Sequence, residues 1–492
     1  MQKLIITKSL FKEFCENPKL ARWHKNDAKI YNKINQETYA MDALIGQEVE
    51  NMVKKLRDPK DISIVSYNTK DFHNTYHQAT QKSLDHDMPI IYQALLRDNL
   101  FVKCDFLQKN DQKYDLIEVK AKNKIRKPNK DETLLDDLVA DCSFQRYVLS
   151  KALDQFSKVW IYHLNSDYIK DGEIIPSQII IKEDVTEELA QDSWVEDRIK
   201  SIQKTILLPK KEFEEWFPYQ ENPLIYFGDS PKKTIRNIPH FKTSKKKLTS
   251  LYELKTKIDD LDEEMELIAS KDKEENNFQK YIKIYREIKV DKQEIKERFS
   301  HLSFPLFFYD YETVSRPIPI FEQTHPRQQV VVQYSMHKMD ADGEITHFEL
   351  IKPVKTNKDV VDKFVQDVEA RTFIVRNKFE NSRNEEMIMY PEYKEFFEQV
   401  NLQTFDLMDV FRDMLYFDPD FGSCSIKKVL PVLSDITYEM TVSNGGDASN
   451  YLQKLINNQL PIEISIENLL EYCKQDTRAM VEIYNFLKEK IN

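Results

Sequence analysis

Phe307-Phe308-Tyr309-Asp310-Tyr311-Glu312-Thr313 is an apolar run that closes on two carboxylates. It reads as the end of a strand opening at residue 304, and residues two apart in a strand leave the same face, so Asp310 and Glu312 project together. Two negative groups side by side repel. A hard divalent ion such as Mg²⁺ or Mn²⁺ between them removes that cost, because such ions prefer carboxylate oxygens. The competing reading is an exposed strand end carrying two solvated acids.

Working outward, residues 329–339 read as a second strand, and the turn Asp340-Ala341-Asp342-Gly343 leads to a third over 344–351. A helix over 360–370 returns the chain to a strand at 372–375. Three meandering strands followed by alternating helix and strand predict a mixed sheet with helices on its faces. Glu380 follows the 372–375 strand at the start of a helix, near the point where such sheets carry functional groups; an acid satisfying the helix dipole is equally compatible. In the last helix, 467–488, Tyr472 and Asp476 stand four apart and share a face. An acid beside a phenol can hold a metal and orient a water, although an ordinary surface-and-core pair has the same spacing.

The 492-residue length predicts two to four domains, and 41% hydrophobic residues suffice for their cores. Lys+Arg 72 against Asp+Glu 83 gives a formal net charge of −11, so nucleic acid is not attracted by bulk charge. Five cysteines without paired spacing predict neither a zinc site nor a disulfide framework, and a reducing cytoplasm is expected. No apolar run is long enough to span a bilayer, so no membrane partner is expected. With 7 glycines in all, Gly-rich phosphate loops are absent.

Residues 1–240 mix helix and strand: a helix from Ser9, a helix over 39–56, strands over 88–95, 101–107 and 114–121, a helix over 134–153 and a strand over 158–164. Asp105 lies in one strand, and Glu118 and Lys120 lie on one face of the next. Two acids and a lysine suit metal-assisted hydrolysis, the ammonium stabilising a developing oxyanion. A cross-strand ion pair on a sheet face has the same pattern. Residues 241–300 carry apolar positions at heptad spacing, broken at 270–277, and predict a helical hairpin linking two domains.

Asp310-Tyr311-Glu312, Phe379-Glu380 and Tyr472-Cys473-Lys474-Gln475-Asp476 resemble the three motifs of the DnaQ-like (DEDD) exonucleases, tyrosine branch, across 301–492. Pro317-Ile318-Pro319, Gln333-Tyr334-Ser335-Met336-His337, Asp406-Leu407, Gly422-Ser423-Cys424-Ser425-Ile426-Lys427 and Asn444-Gly445-Gly446 resemble a bacterial domain of unknown function related to that superfamily. That domain usually carries Asn where this chain has Arg376, and Glu where standard members carry Asp, as at Glu380. The resemblance implies a ribonuclease-H-like mixed sheet flanked by helices and two Mg²⁺ or Mn²⁺ ions. Asp310 would touch both ions, Glu312, Glu380 and Asp476 would complete the shell, and Tyr472 would orient the attacking water. Paired ions about 4 Å apart stabilise both the attacking and the leaving oxygen. The family trims nucleic acid from the 3′ end. Asp406 and His337 are candidates for supporting positions.

Ile6-Thr7-Lys8-Ser9-Leu10-Phe11, Gly46, Asp105, Glu118-Val119-Lys120 and Phe144-Gln145-Arg146-Tyr147-Val148-Leu149 resemble the RecB-like nucleases of the PD-(D/E)XK superfamily. This implies a restriction-endonuclease-like core over 1–240. Asp105 and Glu118 would hold one or two ions, Lys120 would stabilise the transition state and Gln145 would support them. Glu50 stands where many relatives carry a metal-ligating His. Only Cys15 matches their four cluster cysteines, so no iron–sulfur cluster is expected.

The fold class expected is therefore α/β (α+β), and the function expected is that of a metal-dependent nuclease acting on DNA or RNA. The alternative is a nucleic-acid-binding scaffold with one or both sites inactive. Lys122, Lys124, Arg126, Lys127 and Lys130, with Lys242, Lys245, Lys246 and Lys247, are candidate phosphate contacts, or simply solvated faces. Neither substrate sugar nor oligomeric state is legible.

Overall fold

The computed structural model describes residues 4–26, 39–57, 62–64, 72–92, 95–97, 100–128, 132–153, 156–216, 288–352, 358–368, 371–376, 378–387, 390–421 and 423–492. The chain is a mixed α/β protein that divides into two compact units, Met1–Asp229 with Arg316–Arg327, and Ser230–Ser315 with Gln328–Asn492. The hairpin expected over 241–300 lies outside the described residues up to 287. Its last stretch contains a helix, Lys292–Ser300.

In the first unit, strands β1 (Ile6–Thr7), β2 (Ile62–Ile64), β3 (Ile90–Tyr92), β4 (Leu95–Arg97), β5 (Leu100–Lys103), β6 (Phe106–Asn110), β7 (Lys113–Lys120), β8 (Phe156–Leu164) and β9 (Ile180–Asp184) form two sheets. The larger runs β2-β3-β6-β7-β8-β9 and the smaller β1-β5-β4. The runs 88–95 and 101–107, each expected as one strand, are therefore each divided between sheets. The second divides at Cys104-Asp105, where the Asp105 carboxylate accepts the Val119 backbone N–H at 2.7 Å. That side-chain bond satisfies a donor on β7 and leaves Asp105 at the entrance to β6.

β7 is antiparallel to β6 and parallel to β8. A parallel pair needs a crossover, and helix Asp136–Ala152 lies within it. The first helix, Lys8–Glu16, begins one residue before Ser9. Thr7 is its N-cap, its hydroxyl accepting the Leu10 N–H at 3.1 Å.

In the second unit β10 (Lys289–Val290) pairs with β16 (Tyr416–Phe417). The main sheet runs β13-β12-β11-β14-β15, with β11 at Leu306–Ser315, β12 at Gln329–Met339, β13 at Ile345–Ile351, β14 at Thr372–Val375 and β15 at Thr404–Asp406. β11 is antiparallel to β12 and parallel to β14. Nine of its ten residues are buried, as expected of a central strand covered on both faces. It continues well past Tyr309, so Asp310 and Glu312 are interior positions, which overturns the exposed-strand-end reading.

Helix α1 (Phe379–Met387) follows β14 and helix α2 (Ile426–Leu433) follows β16. The last helix, α3 (Ile466–Ile491), starts in a capping box: Ser465 accepts the Asn468 N–H at 3.3 Å and Asn468 accepts the Ser465 N–H at 2.9 Å. Its buried residues Leu469, Tyr472, Cys473, Asp476, Met480 and Leu487 recur at helical spacing, so one stripe faces the core.

Candidate active sites

The first-unit cluster is assembled by three elements. β7 supplies Glu118 and Lys120, the β5–β6 break supplies Asp105, and the crossover helix supplies Gln145, with Asp141 one turn before it. Gln145 Nε2 donates to Glu118 Oε2 at 2.8 Å and to Asp141 Oδ1 at 2.9 Å. Lys120 Nζ reaches Glu118 Oε1 at 2.6 Å and Asp141 Oδ2 at 2.7 Å. The first helix adds Lys8, 3.0 Å from Glu118 Oε1, and Lys12, 3.0 Å from Asp141 Oδ2. Glu118, Lys120 and Gln145 therefore join one hydrogen-bonded cluster, and Asp105, bonded to the Val119 N–H, is tied to it through the charge of Glu118.

Every oxygen of Glu118 and Asp141 has a donor. Burial works to raise the Glu118 carboxyl, but the ammonium groups of Lys120 and Lys8 outweigh it and hold the group below the usual carboxylate range. Asp141 is held down in the same way, against its burial, by Lys120, Lys8 and Lys12. Asp105 behaves oppositely. Burial first and the Glu118 charge second push it up to about 7, with Glu50 adding in the same direction.

Lys8, Lys12 and Asp141 were not assigned site roles from sequence. The spacing Asp141 to Gln145, one helical turn, was the available signal for the acid. Three members of the basic run beyond Lys120 are paired, Lys122 with Asp137 at 2.7 Å, Lys127 with Asp136 at 2.6 Å, and Arg126 with Glu183 and Glu188, while Lys124 is exposed. Lys130 and residues 242–247 lie outside the described residues.

The second-unit cluster gathers Asp310, Glu312, Glu380 and Asp476. Asp310, Glu380 and Asp476 are fully buried and Glu312 is 5% exposed. β11 projects Asp310 and Glu312 from one face, and a bulge follows Glu312, a device that re-aims side chains beside sites. Glu380 sits in the first turn of α1. α3 brings Asp476 and Tyr472, and buried polar ties fix it to β12: Gln333 Nε2 donates to Leu469 O at 2.8 Å, and Thr477 Oγ1 lies 3.0 Å from Ser335 Oγ and 2.8 Å from His337 Nδ1.

His337 thus supports the helix one residue from Asp476. Asp406 is engaged elsewhere, bonded to Arg412 and accepting the Met408 N–H at 3.1 Å.

These acids are not neutralised by donors as in the first cluster. Asp310 Oδ1, Glu312 Oε1, both Glu380 oxygens and Asp476 Oδ1 are buried without a hydrogen-bond partner. Burial raises Asp310, with Arg376 opposing and Asp476 adding. Burial and then Asp310 raise both Glu312 and Glu380. An oxygen each of Asp310 and Glu312 lies within 4.8 Å of the other and of Cys473 Sγ. Burial drives the Cys473 thiol well above its ordinary range, so it packs as a neutral group.

Two cations complete the setting. Arg376, immediately after β14, places Nη1 2.7 Å from Asp476 Oδ2 and Nη2 3.4 Å from Asp310 Oδ1. Lys427, on α2, donates to the Tyr472 hydroxyl at 2.9 Å and to Ser443 O at 2.6 Å. Neither has a site role in the sequence reading, although Arg376 stands where the similar domain usually carries Asn and Lys427 ends one of the matching motifs. Five buried, unpartnered carboxylate oxygens in one cluster fit a hard divalent ion such as Mg²⁺ or Mn²⁺.

Residues 307–425 match a family model described as "Domain of unknown function (DUF2779)". The chain is 27% identical over 245 residues to the "Uncharacterized protein MG366 homolog" of Mycoplasma pneumoniae, covering 44% of this chain and 36% of that protein. It is 29% identical over 230 residues to the "Uncharacterized protein MG366" of Mycoplasma genitalium, 40% of this chain and 34% of that one. To the "Uncharacterized protein UU173" of Ureaplasma parvum it is 26% identical over 243 residues, 43% and 34%. The chain spans about a third of the length of these relatives. No solved structure matches it. Among the described residues no helix is long and apolar enough to cross a membrane. The stretch that holds Asp310, Glu312, Arg376 and Glu380 thus matches a domain family of unknown function.

Proposed function

We propose that the chain is a divalent-metal-dependent nuclease of DNA or RNA, with the second-unit cluster as a DnaQ-like exonuclease centre that removes nucleotides from the 3′ end. The observation that carries this reading is the convergence of Asp310, Glu312, Glu380 and Asp476 with buried oxygens that no protein donor satisfies. Burying four carboxylates with Arg376 pairing only Asp310 and Asp476 is costly. A bound Mg²⁺ or Mn²⁺ removes that cost and, in phosphodiester hydrolysis, activates water and stabilises charge on the attacking and leaving oxygens.

The chain's own residues do the rest. Tyr472 accepts a hydrogen bond from Lys427, which leaves its own proton free to position an oxygen of water or phosphate. Water adds to phosphorus, the bond from phosphorus to the ribose 3′ oxygen breaks, and that oxygen takes up a proton.

The RecB-like reading of the first unit has weaker support. Both Glu118 oxygens are taken by Lys8, Lys120 and Gln145, so an ion there must displace an ammonium group. This favours a first unit that binds nucleic acid or stabilises its own core without cutting, the scaffold alternative for that module alone.

The test is degradation of labelled single- and double-stranded DNA and RNA in Mg²⁺, Mn²⁺ or EDTA. Shortening of at least one substrate with either ion and none in EDTA is expected. Binding without shortening of any substrate overturns the nuclease reading.

A further inference from the structure

The position of Arg376 bears on how many ions the second-unit cluster can hold. Its guanidinium spans Asp310 and Asp476, 3.4 Å from one and 2.7 Å from the other. An ion shared by those two carboxylates needs the same space. A guanidinium keeps its charge at any working pH, so it cannot yield its place by losing a proton. The oxygens without a hydrogen-bond partner lie on Glu312 and Glu380, on the Asp476 oxygen that Arg376 does not touch, and on Asp310 Oδ1, whose contact with Arg376 is the longer of the two. Charge points the same way. Four carboxylates face Arg376 and Lys427, both of which act on Glu312, and the excess of two negative charges is that of one divalent ion.

We propose that Arg376 is a resident cation of this cluster, standing in for one of two divalent ions, so that the protein binds a single ion through Asp310, Glu312 and Glu380. The proposal rests on the reading of this cluster as a metal centre and departs from the two ions that the exonuclease resemblance implies. A second ion enters only when Arg376 leaves Asp476.

Equilibrium dialysis of the full chain against Mn²⁺ tests it, counting ions lost on Asp310→Asn so that any first-unit binding cancels. The wild type loses one. Arg376→Gln gains a second Asp310-dependent ion, while Arg376→Lys, which keeps the charge, stays at one. Two Asp310-dependent ions in the wild type overturn the proposal, and so does a folded Arg376→Gln protein that stays at one. Should Arg376→Gln fail to fold, the wild-type count alone decides. No Asp310-dependent Mn²⁺ in any variant overturns the metal-centre reading itself and this proposal with it, an outcome distinct from a count of two.

Discussion

Lys427 donates a hydrogen bond to the Tyr472 hydroxyl at 2.9 Å, and its ammonium stands 4.6 Å from the centre of the same ring. Burial lowers the lysine, with Asp476 opposing, while burial and then Asp476 push the phenol up. Tyr472 therefore stays protonated, with its oxygen occupied by Lys427 and its proton available. Lys427→Met and Tyr472→Phe are each expected to lower kcat by about 10²-fold. Because the two act as one unit, the double variant should lose little more than either single one. Single-turnover rates of the three variants check this; fully additive losses would show that the residues act separately.

Ion binding should depend on pH above the usual carboxylate range. Asp310, Glu312 and Glu380 bind protons more tightly when buried in the metal-free fold than in the unfolded chain, where carboxyls titrate near 4. The metal-free protein therefore loses stability as pH rises from about 4 through their raised values. His337 and His347, held down to about 3 and about 4 chiefly by burial and then by each other for His337 and by Lys474 for His347, act oppositely, but only below about 6.5. Between pH 6.5 and 8 the thermal shift produced by Mn²⁺ should grow. Thermal melts with Mn²⁺ and with EDTA measure it, and a shift that shrinks with pH would contradict the carboxylate account.

Lys120 neutralises Glu118 and Asp141 inside the first unit. Lys120→Met leaves Asp141 to Lys12 and Glu118 to Lys8, weakening a buried ionic network at a cost of about 3–5 kcal/mol. Calorimetry should show that unit melting some 10 °C lower, given about 2–4 °C per kcal/mol for a unit of this size. Nuclease rate at temperatures below that transition should be unchanged. A lost rate with an unchanged melting temperature would instead assign Lys120 to catalysis.

The capping box at Ser465 starts the helix that carries Tyr472 and Asp476. Ser465→Ala is expected to cost about 1 kcal/mol, seen as a lower denaturant midpoint with the same slope. An unchanged midpoint would show that packing of the buried stripe alone holds the helix.

The sequence made β11, β12 and the last helix legible because their buried residues recur at strand or helix spacing over ten residues or more, and β13 because the turn at Asp340–Gly343 announces it. It also placed Asp310 and Glu312 on one face, since strand alternation is local. It failed where tertiary contacts decide. Residues 101–107 read as one strand, but the Asp105 carboxylate takes the Val119 N–H and the strand divides there. The first helix starts at Lys8 and not at Ser9, because the Thr7 hydroxyl accepts the Leu10 N–H and so fixes the first turn one residue earlier. Arg376 and Lys427 enter the cluster from β14 and α2, so their roles exist only once the sheet is assembled. Asp141 and Lys8 converge from segments over a hundred residues apart.

The most direct measurement is single-turnover degradation of a 5′-labelled oligonucleotide by matched, folded wild-type, Asp310→Asn, Asp476→Asn and Glu118→Gln proteins in Mn²⁺. The account predicts a ladder shortening from the 3′ end, slowed at least about 10³-fold by either aspartate change and unaffected by Glu118→Gln. Equal rates in wild type and Asp310→Asn, or loss of the ladder only in Glu118→Gln, would contradict it.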